Sequence, residues 1–280
     1  MTWSLVSLLA FCLAYYLAAG LAINLAYHRV LSHRALVLNG TAERIFVTLG
    51  LPAGTPVQWA GNHRQHHARA DREGDPHSPL QGFWHAHNGW YIGRRHWLPC
   101  LLYALGGPLR ILVDGWHRPR SNQEFNHLAH DVAADPYYAW VSRPGPYLTF
   151  ALGHLLLFFG GAALIWGAAG VIALWGTLVA IFNLGDAIDS VAHLVGRRPY
   201  RMPSHARNGR VMGYLTLGEG WHANHHRFPS SVRHGLLPGQ PDWTYGVIRL
   251  FERLGWAREL HRVPPEELAR ALAETKNAAA

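Results

Sequence analysis

The pattern His-x-x-His-His occurs twice in this chain of 280 residues, as His63, His66 and His67 in "NHRQHH" and as His222, His225 and His226 in "GEGWHANHHRF". Spacings of three and four residues set the three imidazoles of each box on one face of a helix. "HRVLSH" adds His28 and His33, and "LGDAIDSVAH" adds His193, four residues after Asp189. Neutral imidazole is the commonest metal-binding side chain and suits Fe, Zn, Cu and Ni. These nine histidines exceed the three or four protein ligands of a tetrahedral zinc. They suit two metals with four or five nitrogens each and open positions left over, the ligation of a redox metal that activates O2.

His28 and His33 would stand about 140° apart on a straight α-helix. They are therefore expected to straddle a helix end or to serve different metals. Asp189 reads equally as a direct ligand, a water-mediated ligand or a hydrogen-bond acceptor. Asn24, Asn62, Asn224, Asp186 and Glu219 are candidates to fix imidazole tautomers from behind the ligands. His77, in "GDPHSP", reads either as a turn residue or as part of the site. Cys12 and Cys100, the two cysteines, exclude a thiolate cage and a disulfide framework.

The elements that position these groups follow from the charge distribution. Only 15% of residues are charged, against ~25% in soluble domains. Residues 1–27 carry no charged side chain, 28–143 hold twelve Arg, 144–196 hold no basic residue, and 197–280 hold thirteen basic residues. Basic segments lie on the cytoplasmic side of a membrane. The expected fold is an all-α integral membrane protein with about three transmembrane helices, near 3–27, 146–165 and 171–193, the last two joined by an outer turn in "WGAAG". Segments 28–145 and 194–280 form a helical cytoplasmic cap, and the N-terminus lies outside. Residues 42–61, broken by Pro52, Gly54 and Pro56, read as an interfacial or re-entrant helix, because a crossing there would put the histidine boxes on opposite faces. "WTYGVIRLFERLGW" and "PPEELARALAET" read as amphipathic cytoplasmic helices.

The net charge of +8 then reflects topology and anionic-lipid contact, and no basic helix or zinc finger supports nucleic-acid binding. No CxxC pair, haem-binding domain or dinucleotide fingerprint is present, so electrons must come from a separate ferredoxin, cytochrome or flavoprotein docking on the Arg-rich face. The Arg-for-Lys, Ala-rich bias points to a GC-rich bacterium and its cytoplasmic membrane. Tyr15 and Tyr16, in the first span, read as core packing or as a limit on the length of a substrate chain.

"HRVLSH", "NHRQHH" and "HANHH", in this order, resemble the three histidine boxes of membrane fatty-acid desaturases, and most closely the stearoyl-type Δ9 acyl-CoA branch with its bacterial relatives. "QWAGNHRQHH", "GDPHSPLQGFWHAHNGW", "HLVGRRPY" and "GEGWHANHHRFP" extend the likeness over about residues 20–235. The resemblance implies a di-iron enzyme that uses O2 and two external electrons to remove two hydrogens from an acyl chain carried by coenzyme A, by acyl-carrier protein or in a lipid. It implies His28, His33, His63, His66, His67, His193, His222, His225 and His226 as ligands. Three departures stand out. The family has Asn where this chain has Asp189, whose charge could lower the metals' potential or displace a bound water. Animal members have Arg-Asp before the second box to hold the coenzyme A head group, where this chain has Gly61 and Asn62. They also have an additional N-terminal span. A hydroxylase or acetylenase shares the same chemistry; a membrane zinc hydrolase acting on lipids and a non-catalytic metal-binding subunit are the readings from other classes.

Overall fold

In the computed structural model, residues 4–117 and 127–277 are described. The expected first span starts at residue 3, outside that set. Helix α1 (Leu5–Leu21) is capped by Ser4, whose side chain accepts a hydrogen bond from the Ser7 N–H. It runs without interruption into a π-helix, Ala22–Ser32, giving one rod of 28 residues that holds an 18-residue stretch of mean hydropathy 2.1. Leu5, Val6, Leu9 and Leu13 are exposed along it.

The second long helix, α6 (Pro144–Asp189), is broken at Gly167, where φ is 62° and ψ −144°. Residues eight apart on a straight helix are about 12 Å apart. Here a Cβ on Gly170 would meet the Ala162 carbonyl oxygen at 2.4 Å, so the chain reverses at Gly167, inside the expected "WGAAG" turn. Each arm of α6 is about 33 Å long, the thickness of a bilayer's hydrocarbon core. Leu156, Leu157, Leu164 and Ile172 are exposed on these arms, and Tyr15, Ala151, Leu174 and Leu178 pack between them and α1.

Residues 42–61 do not form one helix. α2 (Gly40–Gly50) and α3 (Pro56–Arg69) are separated by a short 3-10 turn at Leu51–Ala53. A further bent pair was not expected from the sequence. α4 (Trp97–Leu105) and α5 (Pro108–His117) meet at 114° across the Gly106–Gly107 turn, with Trp97, Leu102, Leu109 and Val113 exposed. Trp175 Nε1 donates to the Leu105 carbonyl and Asn183 Nδ2 to that of Ala104, seating the bend on α6.

The third box lies on α7 (His222–Arg227), and the expected amphipathic segments form α8 (Trp243–Arg253) and α9 (Pro265–Asn277). A two-residue antiparallel pairing of Val37–Leu38 with Ala257–Arg258 ties the end of α8 to the segment after the first box. Leu25, Tyr27, Val30, Val57, Ala60 and Ile248 form the core that joins π-helix, α3 and α8.

Candidate metal centre

Nine box histidines converge into two sets. Ring nitrogens of His28, His33, His63, His67 and His225 lie within 4.8 Å of one another, and so do those of His66, His193, His222 and His226. Each His-x-x-His-His helix serves both sets, because the i,i+4 pair goes to one and the remaining histidine to the other. The first box straddles a helix end as expected, His33 being the C-cap of the π-helix, but its two histidines fall in one set rather than two. A π-helix closes its turn i→i+5, so His28 and His33, at the end of the π segment, come back to the same side and share one set, their ring centroids 4.9 Å apart.

The facing atoms are all Nε2. In the five-nitrogen set, His33–His63, His28–His225 and His67–His225 are separated by 2.8, 3.0 and 2.8 Å. In the four-nitrogen set, His66–His226, His226–His222 and His222–His193 are separated by 3.3, 3.0 and 3.1 Å. Hydrogen bonds cannot account for that chain. His66 Nδ1 is 2.9 Å from Asp75 and His193 Nδ1 is 2.8 Å from Asp71, so each spends its proton there and presents a lone pair at Nε2. The two middle rings supply at most two protons for three contacts, leaving one contact mismatched under any assignment. A cation at the centre removes the mismatch. Ligands at right angles about an ion ~2.1 Å away sit about 3.0 Å apart, and tetrahedral ligands about 3.4 Å. The contacting pairs, 2.8–3.3 Å apart, lie in the range that ligands of one ion occupy, so each donor set fits a metal ion.

Burial, reinforced by neighbouring imidazoles, holds His63, His67, His222, His225 and His226 well below the ordinary histidine range. Carboxylates stand behind the rings. Glu219 Oε2 lies 2.6 Å from His28 Nδ1 and 3.2 Å from His234 Nδ1, while its Oε1 is 2.9 Å from the fully buried Arg29. Burial alone would raise the Glu219 carboxyl, but Arg29, His234 and His28 hold it well below its usual range. Asp71 behaves alike: burial pushes it up, and the His193 contact and the His205 N–H outweigh that and pull it far down. Two ionised carboxylates behind neutral rings are what a buried cation offsets.

Arg64, inside the second box, locks α3 in place. It donates to the carbonyls of Ser32, Leu31 and Leu128 at 3.0, 2.6 and 2.8 Å and pairs with Asp131. The segment after the first box is thereby fixed against the second.

Other residues singled out from sequence fall in different places. Asp189 belongs to neither nitrogen set. α6 ends at Asp189, and Ser190, at φ −104° and ψ −70°, breaks the phase before the short helix that carries His193, so the two are not on one face. Asp189 instead lies 3.7 Å from His77 Nδ1, and the His77 ring stacks on His66 with centroids 4.3 Å apart. Of the candidate orienting groups, only Glu219 contacts a box imidazole. Asn24 donates to the Thr216 carbonyl, Asn224 to that of His234, and Asp186 accepts from Arg110. Asn62 lines a polar cavity of about 40 Å3 with Gln58, His77 and Asp189. Asp71, Asp75 and His234 were missed. The first two lie in "DREGD" directly after the second box, a density of acid unusual in a chain with only 17 acidic residues.

A pocket of about 160 Å3, called the tunnel below, is lined by His28 and His63 of the five-nitrogen set, by Trp59, Tyr91 and Asp189, and by Tyr15, Leu178, Ile181 and Phe182. Beyond Tyr15, which hydrogen-bonds His154, lies an apolar chamber of about 250 Å3 sharing Tyr15, Ala19 and Leu49. Tyr16 instead donates to the Leu215 carbonyl.

Comparison with known proteins agrees with this geometry. The sequence profile of the family described as fatty acid desaturase matches residues 2–242. A probable chloroplastic lipid desaturase of Arabidopsis thaliana is 33% identical over 88% of this chain, which spans 61% of that relative's length. An sn-1 stearoyl-lipid 9-desaturase of Anabaena variabilis is 32% identical over 88% of this chain and 80% of its own. An acyl-CoA C20 Delta5-desaturase of Anemone leveillei is 34% identical over 91% of this chain and 74% of its own. The chain therefore belongs to the fatty acid desaturase family, whose members are oxidoreductases.

Proposed function

We propose that this chain is an O2-dependent acyl desaturase whose two metals are iron, held by five and by four of the nine box histidines. The observation that carries the reading is the largely apolar tunnel lined in part by His28 and His63. Iron bound there would supply O2 activation: a saturated –CH2–CH2– pair loses two hydrogens, and O2 takes these with two external electrons and two protons to give an alkene and two waters. The tunnel walls exclude bulk water and hold one carbon pair beside the five-nitrogen set, so position is chosen by fit rather than by recognition of the carbon. Glu219, Asp71 and Asp75 fix the Nδ1 protons of His28, His193 and His66 and leave each Nε2 free to ligate.

In this reading α1 and the two arms of α6 span a bacterial cytoplasmic membrane with the N-terminus outside, and the bend between α4 and α5 is a re-entrant element. The metals sit at the cytoplasmic boundary. A ferredoxin, cytochrome or flavoprotein docks on the Arg-rich face. The substrate is an acyl chain on a lipid, coenzyme A or acyl-carrier protein. Its relatives' names include acyl-lipid and acyl-CoA substrates, and Gly61–Asn62 supplies no charge to hold coenzyme A.

The test compares total acyl chains, with double-bond positions mapped by mass spectrometry, in cells expressing the wild type or His225→Ala together with a ferredoxin–reductase pair. A new alkene that depends on His225 supports the reading. A new hydroxyl or alkyne in its place moves the chain to the sister chemistries.

A further inference from the structure

The tunnel is not apolar throughout. Arg110, on α5, and Asp186, on α6, both line it, joined at 2.8 Å (Nη1–Oδ2) and 3.2 Å (Nη2–Oδ1). They are 2% and 4% exposed. The guanidinium carbon lies 4.2 Å from the Tyr103 ring centroid and 4.7 Å from that of Phe182, which also lines the tunnel. A plain alkyl chain gains nothing from a charged pair in its wall. Well-packed apolar residues of similar volume are commonly as stable as a buried pair. The end of α4 is seated on α6 without the pair, by the Trp175 and Asn183 hydrogen bonds.

We propose that Arg110 and Asp186 recognise a hydroxyl group on the substrate chain, so that the preferred substrate is a hydroxylated acyl chain. The inference rests on the acyl reading of the tunnel and names its substrate class. A guanidinium donates and a carboxylate accepts, and a neutral hydroxyl does both at once. A carboxylate on the chain would meet the charge of Asp186, and an ammonium group that of Arg110. A keto group could use only the donor half. Arg110 and Asp186 already answer each other through two contacts, and the hydroxyl joins as a further partner. Held at one point of the wall, it also sets the register of the chain against His28 and His63.

The test is equilibrium binding to the metal-free full-length protein in lipid nanodiscs, read by quenching of tryptophan fluorescence, Trp59 being in the tunnel wall. The probes are stearoyl thioester and a series of hydroxystearoyl thioesters with the hydroxyl walked along the chain. One or two neighbouring positions should bind at least about tenfold more tightly than stearoyl, the factor of a hydrogen bond to a charged group. In the Arg110→Leu/Asp186→Leu protein that ratio should collapse to about one, and Asp186→Asn should restore part of it. Equal or weaker binding of every hydroxylated probe by the wild type overturns the inference, whether or not the variants fold. So does a preference that survives in the double variant. Turnover then separates the two claims. A binding preference without desaturation by iron-loaded protein supports the recognition point and counts against the desaturase reading. Desaturation of stearoyl without any preference overturns the recognition point alone.

Discussion

Replacing Glu219 by Gln should empty one metal position and spare the other. Glu219 lies 2.6 Å from His28 Nδ1 and 2.9 Å from Arg29, and both contacts lie on the five-nitrogen side. The amide keeps the shape but loses the charge, so His28 loses the acceptor that fixes its tautomer and raises its basicity. Loss of such a partner lowers metal affinity about 10–100-fold, which is about 1.4–2.7 kcal/mol. Arg29 keeps Asp242, at 3.2 Å. The fold therefore escapes the ~3–5 kcal/mol of a wholly orphaned buried charge and should lose about 1–2 kcal/mol. The assay is iron per chain by mass spectrometry after dialysis against graded chelator, with thermal unfolding of the same samples. Wild type should hold two irons well beyond the chelator concentration at which Glu219→Gln falls to one. Retention of both irons at wild-type chelator tolerance, or simultaneous loss of both, would refute the assignment of Glu219 to one of two separate positions.

The mirror experiment is Asp71→Asn, which acts through His193: iron should again fall to one per chain, and the combination with Glu219→Gln should bind none. Arg64→Ala removes three carbonyl contacts and the Asp131 pair. It should destabilise the protein by about 3 kcal/mol in denaturant titration and loosen both irons, since α3 supplies ligands to both sets. Asp131 lies far below the ordinary carboxylate range because its hydrogen bonds and pairing with Arg64 and Arg34 outweigh burial. A depressed folded-state pKa contributes stability above the unfolded value, and this is lost as pH falls through about 4 and below. Solvent screening at this half-exposed site limits the contribution to about 1 kcal/mol, and unfolding of Asp131→Asn should lack that limb of the pH profile. Tyr15→Ala should join the tunnel to the chamber behind it and lengthen the chains accepted, read as a shift of the product distribution in the acyl-chain assay.

What the sequence reveals depends on periodicity and charge. The two His-x-x-His-His boxes keep α-helical phase, so their shared face was legible, and the absence of basic residues from 144–196 located the hairpin that turns at Gly167. Phase breaks were not legible. The π-helix brings His28 and His33 together where an α-helix would part them, and the break at Ser190 separates Asp189 from His193 where an unbroken helix would align them. The bend at 97–117 escaped notice because each arm has nine or ten residues, half the length of a span. Asp71, Asp75 and His234 sit in loops with no period, and Arg110 finds Asp186 across 76 residues, a pairing that only the fold reveals.

The most direct test of the central claim uses the purified, iron-loaded protein with its electron donor and a stearoyl chain deuterated at every carbon, weighing the chain before and after reaction with O2. Desaturation predicts the loss of two deuterium atoms from adjacent carbons, no oxygen gained and the head group intact. A chain that gains one oxygen, or one released from its head group with every deuterium in place, would contradict it.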